Sequence, residues 1–146
     1  MKIVLIYLAL IFYVSGCATT LPNSSRLYGE FSRYESTASE DNIFEVAEMF
    51  FSTSLLGKDY RSNPDAAGQL LFKNYMAVTQ SHYEKVIQGD GCLTINGYDE
   101  DNAPLIFSLK YIPNEGHWLI DGIHVVYIEN TNDFASSAKC PSEYAN

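Results

Sequence analysis

The sequence predicts an α+β domain, with N-terminal helices packed on a curved antiparallel sheet, and three observations carry that expectation. Apolar residues recur at helical spacing through the first half of the body, the period changes to two after Thr79, and turn residues then divide the chain into hairpins. Helices first and a meander after is the order of an α+β fold rather than of alternating βαβ units. Hydrophobic residues make up 47% of the chain and aromatic ones 14%, ample for a buried core.

Residues 17–40 are rich in Ser and Thr, with Pro22 early, and read as a tether. Leu27, Phe31 and Tyr34 fall at i, i+4 and i+7, so its second half is expected to form a short helix docked on the body. A helix is predicted from Asp41 to Leu56, with Ser39 and Asp41 available as N-caps and Ile43, Ala47, Phe50, Phe51 and Leu55 on one face. Gly57 stops it. A second helix starts at Asn63-Pro64, where Asn caps, Pro takes the first helical position and Asp65 sits at the positive end. Leu70, Leu71, Tyr75 and Met76 form its apolar side, and Gly68 weakens its middle.

Strands follow over Tyr83 to Gln88 and Cys92 to Tyr98, joined by the turn residues Gly89-Asp90-Gly91. Asp99-Glu100-Asp101-Asn102 is an exposed acidic loop ended by Pro104. Leu105 to Ile112 places Leu105, Phe107, Leu109 and Tyr111 on one face. Pro113-Asn114-Glu115-Gly116 makes a four-residue hairpin loop. On the return strand, His117 to Ile128, Trp118 and Ile120 are one residue out of phase with Ile123, Val125 and Tyr127. A bulge at Asp121-Gly122 restores a single face and bends the strand. The body is thus one domain over residues 41–130, with a polar tail over 131–146.

The N-terminus has a different character. Lys2 precedes an uncharged apolar run from Ile3 to Val14. The run is too short for a hydrocarbon core of about 30 Å, which takes about 20 helical residues. It fits the middle of a cleaved signal, about 7–15 residues long. Val14-Ser15-Gly16-Cys17 resembles the bacterial lipobox. That resemblance implies that residues 1–16 are removed as a signal peptide and that Cys17 is acylated, attaching the chain to a membrane. Ala18 and Thr19 follow, with no Asp beside the Cys. Similarity to enterobacterial lipoproteins then implies the outer membrane, with the domain facing the periplasm; the inner membrane and the cell surface are the alternatives.

Eighteen acidic residues against nine basic ones give a net charge of −9. Such a surface excludes nucleic acid, which needs Lys and Arg against phosphate, and an electrostatic grip on anionic lipid. A cationic partner is permitted, although acidity also serves solubility. Of the three cysteines, Cys17 goes to lipid. In an oxidising compartment Cys92 and Cys140 are expected to pair. That bridge closes a loop of about 50 residues, is worth about 4 kcal/mol, and clips the tail to the body. The alternative is two free thiols.

The order of elements and the run Gly116-His117-Trp118-Leu119-Ile120-Asp121-Gly122-Ile123 resemble the nuclear-transport-factor-2-like fold, over roughly Asp41 to Ile128. Members often carry a similar Trp-x-Ile-Asp-Asp/Gly-Ile run on the last long strand. The chain is also similar to small bacterial lipoproteins bearing this domain. The resemblance implies a cone of curved sheet round N-terminal helices, with Trp in the core and Asp-Gly at the bend. It implies no activity, because the fold hosts isomerases, dehydratases, binding modules and assembly subunits.

For an isomerase-like site inside the cone, which needs a buried Asp base and Tyr donors, the candidates are Tyr75, Asp90, His124 and Tyr127. Each has an ordinary reading too. Asp90 suits a turn, and His124 suits a surface position between Ile123 and Val125. With eleven tyrosines, any cavity would contain one by chance. Asp99, Asp101 and Asn102 lack the Gly and Glu of a calcium loop, and His117 and His124 fall on opposite faces of an undistorted strand. Serine-nucleophile, phosphate-loop and dinucleotide motifs are absent, so the sequence implies no cofactor and no metal. The leading expectation is a non-enzymatic envelope lipoprotein that binds a protein partner or a small ligand. The alternatives are an isomerase- or dehydratase-like enzyme and a carrier of an apolar ligand in the cone. Tyr-rich composition suits recognition. The sequence carries no signature of oligomeric state.

Overall fold

The computed structural model describes residues 26–144. The expected signal peptide over 1–16, the expected acylation site Cys17 and the first part of the expected tether, through residue 25, lie outside the described residues, as do residues 145 and 146 of the tail.

The first element, α1 (Arg26–Thr37), is the helix expected in the second half of the tether, but it belongs to the core and does not merely dock on it. Leu27, Phe31 and Tyr34 are all at most 1% exposed. The folded body therefore begins at least as early as Arg26, not at Asp41. A carboxylate borrowed from the sheet fixes the start of this helix. Glu84 accepts main-chain N–H bonds from Arg26, Leu27 and Tyr28 at 2.9, 2.8 and 3.2 Å. A negative group at the positive end of a helix, filling its unpaired donors, is favourable on both counts.

The helix expected over Asp41 to Leu56 is split into α2 (Ile43–Phe50) and α3 (Thr53–Leu56). Phe51 turns extended to form a bridge with Ile120, and the Ser52 N–H donates to the Ile120 carbonyl at 2.9 Å. Tertiary pairing overrides helix continuation here, and Ser52 then caps α3 by accepting from the Leu55 N–H. The break also turns Leu56, rather than Leu55, into the core. Asn42 is the N-cap of α2 in place of Ser39 or Asp41; its side chain reaches back to the Ser39 N–H and the Thr37 carbonyl. Gly57 ends α3 at φ 71°, as expected.

The second expected helix is only α4 (Ala66–Leu70): Asp65 rather than Asn63 is its N-cap, Pro64 lies ahead of it in the turn begun at Asn63, and a 3-10 turn follows over Phe72–Tyr75. Leu70, Leu71, Phe72 and Met76 are buried, whereas Tyr75 is exposed.

Four strands, β1 (Val78–Ile87), β2 (Asp90–Tyr98), β3 (Pro104–Asn114) and β4 (His117–Tyr127), form a curved antiparallel sheet in sequence order. Both tight hairpins turn over two residues, Gln88-Gly89 and Glu115-Gly116, and all four residues have positive φ. That is the mirror-image turn whose twist matches the strands. Neither the turn expected at Gly89-Asp90-Gly91 nor the four-residue loop expected at Pro113–Gly116 is formed. Gln and Glu rarely adopt positive φ, so neither announces such a turn. The acidic loop is as expected; Asp99 accepts from the Asp101 and Ala103 N–H groups.

The bulge in β4 is where its phase change demands it. Lys110 pairs with Gly122 and Tyr111 with Ile120, leaving Asp121 as the extra residue. A second bulge at Gln80 bends β1. The inner face of the sheet meets the helices through Leu93, Ile95, Leu105, Phe107, Leu109 and Tyr111. Aromatic rings fill the space between the layers, with Tyr34 stacked on Phe72 at 5.3 Å and Phe72 edge-on to Phe107 at 5.3 Å. Trp118 is only partly buried at the hairpin end, so it packs against the core and does not fill it.

The tail lies on the outer face of the sheet. Cys92 and Cys140 are disulfide-bonded, with their Cα atoms 4.9 Å apart, as expected from the cysteine arithmetic.

Candidate functional site

The residues singled out by the sequence are spread over the molecule. Asp90 is not a turn residue; it opens β2 and pairs with Ile87. Its carboxylate lies 3.4 Å from Lys110, which also contacts Asp121 at 3.1 Å. Asp121 in turn accepts from the Ser52 hydroxyl at 2.7 Å. This chain of charges ties the β4 bulge to the start of α3, and hydrogen bonding to Asp121 holds the Lys110 ammonium above its ordinary range.

His124 stands opposite Ser108 on the outer face, its ring stacked 4.3 Å from that of Tyr144. Its Nδ1 is buried with no hydrogen-bond partner. Tyr127 lies at the far end of β4, half exposed and paired in register with Leu105. Partial desolvation and the nearby Asp99 carboxylate push its phenol up. Tyr75 is half exposed beside an open groove of about 340 Å³ lined by Leu55, Leu70, Phe72, Ile123 and Val125.

Strand geometry keeps these groups apart. Asp90 is level with the end of β3 and Tyr127 with its start, about 20 Å away at roughly 3.3 Å per residue. His124 and Tyr127 differ by an odd number of residues beyond the bulge, so they face opposite sides of the sheet. No single ligand reaches Asp90, His124 and Tyr127 together.

Two features that the sequence reading missed are more distinctive. The first is a row of buried polar side chains on the outer face, Thr94, Asn96 and Ser108, each at most 1% exposed. All three bond to the tail. Asn96 donates to the Ala135 carbonyl at 2.8 Å and accepts from the Ala135 N–H at 3.1 Å. Thr94 accepts from the Lys139 N–H at 2.8 Å and donates to the Lys139 carbonyl at 3.2 Å. Ser108 donates to the Tyr144 hydroxyl at 2.7 Å. The alternation Cys92-Leu93-Thr94-Ile95-Asn96 was the available signal, but alternation alone reads as a face turned to water.

The second is the edge of β1. Val78, Val86 and Ile87 are each more than half exposed, and Tyr83 joins them. Among the described residues nothing pairs with the outer side of this strand. Its only lysine, Lys85, is held by Glu143 at 2.9 Å, and its only acid, Glu84, is turned to α1.

Comparison of the chain with known protein families, with curated proteins and with solved structures finds no match.

Proposed function

We propose that this is a non-enzymatic, lipid-anchored envelope protein whose α+β domain, of the nuclear-transport-factor-2-like type, faces the periplasm and binds a protein partner along the edge of β1. The observation that carries this reading is a strand edge left unpaired among the described residues. An exposed edge with free main-chain donors and acceptors is normally blunted by charge, proline or a covering element. Here both charged residues of β1 are engaged elsewhere, no proline occurs in it, and four large apolar or aromatic side chains flank it. A partner segment adding itself as a fifth strand would satisfy the main chain and cover those side chains.

Attachment through acylated Cys17 in the outer membrane supplies location, and the segment before Arg26 supplies reach. The acidic surface favours a basic partner by steering. An isomerase- or dehydratase-like reading, or a carrier using the cone interior, draws no support from an interior filled by Phe31, Tyr34, Phe72 and Phe107. The finer fold reading rests on the resemblance of Gly116–Ile123 and on the order of elements.

Two measurements on the full chain in a Gram-negative host test the reading. Palmitate should label the wild type and not Cys17→Ala. A photo-crosslinking residue at position 86 should capture a discrete partner that the same residue at position 100, in the acidic loop, does not. Equal capture at both positions, or labelling that survives Cys17→Ala, overturns the corresponding half.

A further inference from the structure

We infer that the outer face of the sheet is a second peptide-binding site, occupied in cis by residues 134–144 and gated by the Cys92–Cys140 disulfide. The inference does not need the β1 edge, but its gate rests on the proposed envelope location. Alternate residues of β2 each take hold of the tail in turn. Tyr98 meets Phe134 edge-on at 5.6 Å, Asn96 holds Ala135, Thr94 holds Lys139, and Cys92 is bonded to Cys140. Two of these contacts are of an unusual kind. Asn96 and Thr94 each bond both the N–H and the carbonyl of one tail residue, and neither touches its side chain for that purpose. Such a pair of bonds recognises an extended main chain whatever its sequence.

Buried polar side chains carry a cost unless paired, and here the pairing comes from a segment that packs nothing larger than Phe134 and Tyr144 against the sheet. The aromatic contacts at the two ends, with Tyr98 and His124, define what the site takes. It is an extended segment with an aromatic residue near each end and main chain free to bond between them. His124 Nδ1, buried and unpartnered beneath Tyr144, is a polar atom that this tail leaves unused and another segment can fill.

The gate is thiol–disulfide exchange with an envelope dithiol oxidoreductase. Its thiolate attacks one sulfur of Cys92–Cys140, the S–S bond breaks, and its second thiol resolves the mixed disulfide. Two electrons and two protons pass to the cysteines while the oxidoreductase leaves as its disulfide. The tail is then held only by noncovalent contacts, and a partner segment competes for them.

The test uses the full chain carrying Cys140→Ser and a synthetic peptide of residues 131–144 whose own cysteine is an activated mixed disulfide. The Cys92 thiolate displaces the activating thiol and forms a bond to the peptide, read by intact mass. The expected result is one peptide per chain, formed about tenfold faster than with a scrambled peptide of the same composition. Asn96→Ala added to the variant slows the reaction of the native peptide by about the same factor, since it removes two main-chain hydrogen bonds. Equal rates for native and scrambled peptides overturn the proposal. Wild type reduced with dithiothreitol is the companion measurement: its circular dichroism should stay folded while Cys92 becomes open to alkylation. Unfolding on reduction also overturns the proposal, because the site must survive its own opening.

Discussion

Replacing Glu84 by alanine should loosen α1 without touching a residue of that helix. The carboxylate accepts three main-chain N–H bonds at 2.8 to 3.2 Å and places a negative charge at the helix start. Loss of a capping acceptor costs about 1 kcal/mol, and the charge at the positive helix end adds about 0.5 to 1 kcal/mol. Leaving partly buried N–H groups unpaired brings the total for Glu84→Ala to about 2 to 3 kcal/mol. Glu84→Gln keeps one acceptor oxygen but loses the charge and the second acceptor, so it should cost about half as much. For a domain of this size 2 to 3 kcal/mol corresponds to a fall of about 10 °C in Tm. Urea denaturation followed by circular dichroism gives the free energies directly. A loss below about 0.5 kcal/mol for the alanine variant would refute the reasoning, as would identical losses for alanine and glutamine, which would make the effect one of strand packing.

Three further outcomes are expected. Tyr111 has a buried hydroxyl with no partner, whereas the Tyr34 hydroxyl donates to the Leu70 carbonyl at 2.6 Å. Tyr111→Phe should therefore raise the unfolding free energy from urea denaturation by about 1 kcal/mol, and Tyr34→Phe should lower it by a similar amount. Reduction of Cys92–Cys140, or Cys140→Ser, should cost about 4 kcal/mol by denaturation, the chain-entropy value for a loop of this length. At the end of the tail, the Cys140 N–H and Lys85 hold the Glu143 carboxyl below its ordinary range. A depressed folded-state pKa stabilises above the ordinary carboxylate range and is lost as pH falls through it. The protection factors of residues 140–144 against hydrogen exchange, taken relative to the intrinsic rate at each pH, should accordingly fall between about pH 5 and pH 3 in the wild type, and Glu143→Gln should show the low protection throughout.

What was legible in the sequence was whatever a local pattern decides. The period-two runs located four strands, although β1 begins at Val78, five residues before the expected Tyr83, and the one-residue phase slip between Ile120 and Ile123 located the bulge at Asp121. The i, i+4, i+7 spacing of Leu27, Phe31 and Tyr34 found α1, although the Ser and Thr around it suggested a tether. With Cys17 set aside, two cysteines remained, and the expectation of an oxidising compartment was enough to pair Cys92 with Cys140. What failed depended on distant partners. The break at Phe51-Ser52 exists because Ile120 offers a main-chain carbonyl and a strand edge, which no window around residue 51 contains. The polar row Thr94, Asn96 and Ser108 raised no expectation, because its cover lies some 40 residues away in the chain. The catalytic candidates were chosen by residue type, and strand register then separated them.

The tail changes the surface that the protein offers. A four-stranded sheet with helices on one side ordinarily leaves its other face to water. Here that face is closed by residues 134–144, so the central strands β2 and β3 are buried on both sides, and Ile106 and Thr94 are as inaccessible as Leu93. While the Cys92–Cys140 bond keeps both faces covered, interaction is left to the edges. The β4 edge is bridged at Ile120 by Phe51 and Ser52 and lies against α2 and α3. The β1 edge has no such cover among the described residues. A chain that closes one face with its own tail and one edge with its own helix junction, yet leaves Val78, Tyr83, Val86 and Ile87 in water along the other edge, retains an exposure that would otherwise invite aggregation. Retaining that exposure is consistent with an edge that another strand covers when the protein is at work. The bulge at Gln80 limits that pairing to the straight run from Ser81 to Ile87, a length of about six or seven residues that suits a single added strand.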